Sequence, residues 1–150
     1  MRLTDDDLPP ALRTIEQVVI VPVSDINKVA LTALVYARSL SSRVVAVHVT
    51  DDAEEARHLQ EKWERWGEGV NLVILESPYR SLVGPLLSYI DFVQRKQPKA
   101  MITVLVPEYV PHHWYGQILH SQTALRLKAS LLFRANTVVT SVPYRGSTTR

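Results

Sequence analysis

Apolar side chains recur along the chain in two rhythms. Five short runs, residues 18–23, 44–49, 70–75, 100–106 and 138–142, are mostly apolar and rich in β-branched residues. Central strands of a parallel sheet read this way when helices cover both faces. Between the runs lie longer stretches with helical spacing. Ser24 or Asp25 can cap a helix reaching about Leu40, in which Val29, Ala30, Ala33, Leu34, Ala37 and Leu40 form one stripe. Thr50 and Asp51 open a second helix whose Ala56, Leu59, Trp63 and Trp66 share a face, with Gly67 and Gly69 as its stop. The spacing of Trp63 and Trp66 predicts core packing for both. A third helix spans about residues 82–96, with Leu82, Leu86, Leu87, Ile90 and Val93 inward and Pro85 tolerated in its first turn. A fourth, about residues 121–134, buries Leu125, Ala129 and Leu132.

Alternating strands and helices predict an α/β fold: a three-layer sandwich around one five-stranded parallel sheet. With right-handed crossovers the expected arrangement is flavodoxin-like, strand order 3-2-1-4-5. The chain divides into a polar arm over residues 1–16 containing Pro9 and Pro10, a domain over 17–144, and a polar tail over 145–150. In such sheets ligands bind beyond the carboxyl ends of the strands where the order reverses, here between strands one and four. That rule selects segments 22–25, 48–50, 77–80 and 107–123 before any chemistry is considered. Within them Pro22, Ser24, Asp25, His48 and Pro107 are candidates for ligand contact. Asp25 is either a helix cap or a ligand contact. His48 either points into the cleft or is a satisfied, half-buried histidine.

Composition narrows the field. The 150 residues carry 17 basic and 15 acidic side chains, a formal charge of +2, too balanced for a protein that grips nucleic acid across its surface. Without cysteine there is no disulfide, thiol nucleophile or thiolate zinc site. No apolar run approaches the roughly 18 residues of a membrane-crossing helix, and the first ten residues, MRLTDDDLPP, carry acid where an export signal needs positive charge. The expectation is a soluble chain that is not exported.

Missing motifs narrow it further. No G-x-G-x-x-G follows the first strand and no G-x-x-x-x-G-K-[ST] occurs, so neither a dinucleotide fingerprint nor a P-loop is expected. His112 and His113 are adjacent and cannot both face one metal from a regular element. Ser24 or Ser121 could be combined with His48, His120 and Glu108, but no G-x-S-x-G elbow is present. The expectation is no catalysis, no metal and no cofactor.

Four segments carry a family resemblance: VVIVPVSDINKVALTALVYARSLS, VVAVHVTDD, ESPYRSLVGPLLSYID and LHSQTALRLKASLLFRANTVVTSVPY. Over about residues 17–144 the chain resembles the universal stress protein domain. The last two segments resemble the version found at the cytoplasmic C-terminus of permeases of the amino acid/polyamine/organocation superfamily. That subgroup includes potassium importers of the Kim type, regulated by cyclic di-AMP. ATP-binding stress proteins carry G-x-x-G, a spacer and G-[ST] after the fourth strand. Here Val106 to Tyr115 contains no glycine and the late pair is His120-Ser121, so the departure counts against a triphosphate against the backbone. The Ser121 counterpart still heads a helix whose free amides favour an anion.

The resemblance implies a regulatory domain at the cytoplasmic face of a membrane transporter, binding cyclic di-AMP in a homodimer. A two-fold dimer presents the same patch twice to a two-fold symmetric ligand. Arg80, Arg126 and Arg134 would serve its phosphates. Tyr109, Trp114 and Tyr115 would stack on adenine, Gln122 and Thr123 would hold its edge, and His120 and Ser121 are further ligand-binding candidates. Arg126 otherwise lies solvated beside Lys128, and the 107–116 loop otherwise docks on the parent transporter's membrane domain. The alternatives are a nucleotide-free dimerisation module and an ATP- or AMP-binding stress protein.

Overall fold

The computed structural model describes residues 16–67, 69–78, 83–107, 134 and 136–142. In chain order the elements are β1 (Gln17–Pro22), α1 (Lys28–Leu40), β2 (Arg43–Thr50), α2 (Ala53–Trp66), β3 (Asn71–Glu76), α3 (Val83–Lys96), β4 (Met101–Pro107) and β5 (Thr137–Val142). The strands form one sheet of order β3-β2-β1-β4-β5, and every neighbouring pair runs parallel. The architecture expected from the alternating pattern is the one observed, with three helices among the described residues. The fourth helix expected over 121–134 falls largely outside them.

Strand pleating divides the apolar residues into two cores. On one face Val19, Val21 and Val23 of the β1 segment and Val44 and Ala46 of β2 meet Ala30, Ala33, Leu34 and Ala37 of α1 and Leu59 and Trp63 of α2. On the other, Val18, Ile20, Val47, Val49, Ile102 and Val104 pack on Leu86, Ile90 and Val93 of α3. Because β1 and β4 are covered on both sides, their sequences read as near-continuous apolar runs, interrupted in β4 only by the buried Thr103.

Local chemistry moves two helix starts from where the pattern placed them. Helix α1 is capped by Asn27, whose side chain accepts from the Ala30 amide at 2.9 Å, and not by Ser24 or Asp25. Asp25 instead accepts from its neighbour Ile26 at 2.8 Å, a local turn that ends before the helix begins. Helix α2 is capped by Asp52, which accepts from Glu54 at 2.8 Å and Glu55 at 3.3 Å. Thr50 stays in β2, where its hydroxyl accepts from the Asp52 amide at 3.0 Å. Trp63 is buried, whereas Trp66, expected beside it, is 57% exposed. Trp66 is the last residue of α2, and the outward position of Leu40 at the end of α1 has the same cause. Both helices run back to the amino edge of the sheet, where their final residues have no strand left beneath them.

Candidate functional site

The carboxyl ends of the strands line one edge of the sheet, and the order reverses between β1 and β4. Pro22 and Pro107 end those two neighbouring strands. Ser24 and Asp25 follow Pro22 in the turn into α1, and His48 stands near the same edge on β2. The structure therefore brings Pro22, Ser24, Asp25, His48 and Pro107 to one end of the sheet. Arg80, Tyr109, Trp114, Tyr115, His120, Ser121, Gln122, Thr123 and Arg126 lie outside the described residues.

His48 is fully buried. Its parity on β2 turns it toward the helices α1 and α2, and its Nδ1 lies 2.9 Å from the Val23 carbonyl. A carbonyl can only accept, so Nδ1 carries the proton. The Nε2 atom lies 3.9 Å from Glu55 Oε2. Together with the Val23 amide, which donates to the Val47 carbonyl at 2.9 Å, this bond fastens the turn after β1 to β2. His48 thus fixes where Ser24 and Asp25 stand. Asp25, half-exposed, pairs with Lys62 of α2 at 3.4 Å. Neither Asn27 nor Lys62 was singled out from the sequence. The Asn27 cap could have been found by placing the helix start three residues before Ala30, the first residue of its buried stripe.

The two helix starts at this edge differ in charge. The first turn of α1 holds no acid and begins with Lys28, whereas α2 begins with the Asp52 cap followed by Glu54 and Glu55. Aligned peptide dipoles leave a helix start partly positive. At α2 that charge is answered by the protein's own carboxylates. At α1 the cap is the neutral Asn27 and the nearby Asp25 carboxylate is paired with Lys62, so an anion is favoured at the switch point over the flank. The flank itself holds a cleft of about 500 Å³ lined by Thr50, Asp51, Asp52, Ile74, Glu76 and Ser77, whose carboxylates repel phosphate. Among the described residues no group of acidic and histidine side chains has the arrangement to hold a metal ion, and no helix is long and apolar enough to cross a membrane.

Arg134, expected on a phosphate, sits elsewhere. Its guanidinium pairs with the Asp91 carboxylate of α3. The residue precedes β5, and a connection between parallel strands must return to the amino edge before the next strand starts. Arg134 is therefore at the opposite end of the sheet from the switch point.

A protein-family profile described as the KimA potassium transporter C-terminal domain matches residues 14–144. The chain belongs to that family. It is also 38% identical over 129 residues to the potassium transporter KimA of Bacillus subtilis (strain 168). That match takes in 85% of this chain and 21% of the relative, so the chain spans about a fifth of the length of the curated relative it matches. The KimA C-terminal domain profile begins just before β1 and runs past β5, so it takes in the whole sheet and both sides of the switch point.

Proposed function

We propose that the chain is the regulatory domain at the cytoplasmic face of a Kim-type potassium transporter, with no catalytic activity of its own. In this reading it binds cyclic di-AMP at the carboxyl edge between β1 and β4 and works as a two-fold dimer. Membership of the KimA C-terminal domain family across residues 14–144 carries the reading. The uncompensated start of α1 supports a phosphate at that edge. The sequence of β5 supports the dimer: it is an end strand of the sheet, all β-branched but for Ser141, uncharged, with Val138 44% exposed. Strands of that kind present a row of backbone groups suited to pairing with a second chain. Ligand would bias the attached transporter by holding one dimer arrangement in preference to another.

Thermal-shift and calorimetric titration of the chain with cyclic di-AMP, ATP and AMP tests the reading. A ligand at a hundredfold excess over its dissociation constant adds about 2.7 kcal/mol, raising the midpoint by roughly 5–10 °C in a chain of this size. The expected result is a shift with cyclic di-AMP, with the calorimetric affinity weakened at least tenfold by Arg126→Ala through the loss of one charge-assisted bond to phosphate. A shift with ATP or AMP alone would make the chain an ordinary nucleotide-binding stress protein. No shift with any of the three would leave a dimerisation module.

A further inference from the structure

At the amino edge of the sheet, on the α3 face, an open groove of about 480 Å³ lies between α3 and the starts of β2 and β3. Its floor is Val45, Tyr89 and Phe92, and Arg43 and Lys96 stand on its rim. The Tyr89 and Phe92 rings are 6.2 Å apart and stacked, and the Lys96 ammonium lies 5.7 Å from the Phe92 ring centre. Phe92 is 47% exposed although its ring is part of this apolar floor. The groove exists because, among the described residues, α3 alone covers this face, where α1 and α2 cover the other.

From the groove and the segment of chain that leads to it, we infer that the occupant is the chain's own acidic arm, residues 5–12. The arm joins the fold at the groove's mouth. Glu16 accepts from the Met101 amide through its carbonyl at 2.7 Å, and its carboxylate pairs with Arg43 at 3.3 Å. The same guanidinium donates to Gln97 at the end of α3. Glu16, the residue at which the arm meets the fold, is thus held at Arg43, one of the two cations of the rim. Its sequence complements the groove in charge and in polarity: Asp5, Asp6 and Asp7 answer Arg43 and Lys96, while Leu8 and Leu12 answer Val45, Tyr89 and Phe92. Pro9 and Pro10 favour the extended left-handed form that aromatic-lined grooves take up, and they lower the ordering cost of binding. Reach is sufficient. At about 3.1 Å per residue, the stretch from Leu8 to Glu16 covers roughly 25 Å, against about 10 Å along α3 from Tyr89 to Lys96. Docking of the arm covers Phe92 and sets the direction from which preceding chain approaches the domain. The inference does not depend on which ligand the opposite edge binds.

The chain has no cysteine, so disulfide trapping in the whole protein reads the contact directly. Leu12→Cys with Phe92→Cys should close an intramolecular bridge about tenfold faster than Leu12→Cys with Val35→Cys, a control residue on α1 across the sheet, since a docked tether far exceeds a free one in local concentration. Lys96→Glu in the first pair should slow closure by about threefold, the effect of losing an exposed ion pair. Adding Asp6→Lys and Asp7→Lys to that variant should restore it. Equal rates in the two cysteine pairs, or closure indifferent to the charge swap, would overturn the inference. Bridges formed mainly between chains would assign the groove to a second copy and overturn it too.

Discussion

Gly67 offers a direct test of how tightly the α2 end is packed. Its backbone, φ −78° and ψ 4°, is open to any residue, so the glycine is not there for conformational freedom. A Cβ at this position would lie 2.5 Å from Cδ1 and Nε1 of Trp63 and 2.6 Å from the Trp63 carbonyl oxygen. The indole cannot withdraw freely. It is buried, and its Nε1 donates to the Val70 carbonyl at 2.7 Å. Gly67→Ala must therefore displace a packed side chain, at about 1–3 kcal/mol for overpacking, and strain or break a buried hydrogen bond worth about 1 kcal/mol. The expected loss is roughly 2–4 kcal/mol in all. At about 2–4 °C per kcal/mol for a chain of this length, the melting midpoint should fall by roughly 5–15 °C. Thermal and urea unfolding followed by far-ultraviolet circular dichroism would measure it. In a Trp63→Ala background the cost of Gly67→Ala should drop by about 1 kcal/mol or more, because the two positions are coupled through the indole. A loss below about 0.5 kcal/mol for Gly67→Ala alone, the range of neutral surface changes, would refute the packing argument.

Three further outcomes follow from single contacts. Asn27→Ala should cost about 1 kcal/mol by leaving the Ala30 amide without its cap, while Asn27→Asp should keep the stability; equal melting midpoints for all three proteins would remove Asn27 as the cap. Arg134→Gln should lower the unfolding midpoint by breaking the pair with Asp91 yet leave cyclic di-AMP affinity unchanged, and a tenfold loss of affinity by calorimetry would return Arg134 to the ligand. Burial holds the Tyr89 hydroxyl above its ordinary value of 10.0, so the folded protein keeps a proton that the unfolded chain releases. Stability from this group is present below that value and lost as pH rises through the folded value. Tyr89→Phe should therefore flatten the decline of melting midpoint above pH 10, and parallel alkaline limbs in the two proteins would contradict it.

The strand pattern was legible because every strand but the two at the sheet's ends is covered twice, and that leaves no polar phase to confuse with a loop. Residues 18–23 differ from the observed β1 by one position. The order 3-2-1-4-5 followed from right-handed crossovers taken together with the flavodoxin-like, doubly wound arrangement. Helix starts were harder to read, because capping depends on which of several neighbouring polar residues folds back on a particular amide. Ser24, Asp25 and Asn27 all have suitable side chains, and the local turn at Asp25 and Ile26 decides among them. Trp66 shows the limit of periodicity. It occupies the correct angle on α2, yet burial needs a strand beneath it as well. The candidate site was legible only as a place. The switch point followed from topology, but the fully buried ring of His48 depends on a bond to the Val23 carbonyl that spans two strands and has no signature in spacing.

Charge at the two edges of the sheet explains why phosphate and acidic peptide are assigned to opposite ends. Each described helix runs from the carboxyl edge to the amino edge, so α1, α2 and α3 present their starts at one end and their finishes at the other. The finishes carry cations: Arg38 on α1, Arg65 on α2, Arg95 and Lys96 on α3. Those side chains answer the negative ends of the helix dipoles. They also make the amino edge attractive to carboxylates through exposed, flexible groups, an attraction that salt screens over about 8 Å. At the carboxyl edge the attraction is of another kind. It comes from backbone amides held in place by the helix itself, and α1 keeps it because Asn27 caps without adding charge. A phosphate needs several donors fixed in direction, which amides provide. An aspartate run needs only nearby positive charge, which Arg43 and Lys96 provide. The same helix polarity therefore suits the two ends to anions of different rigidity.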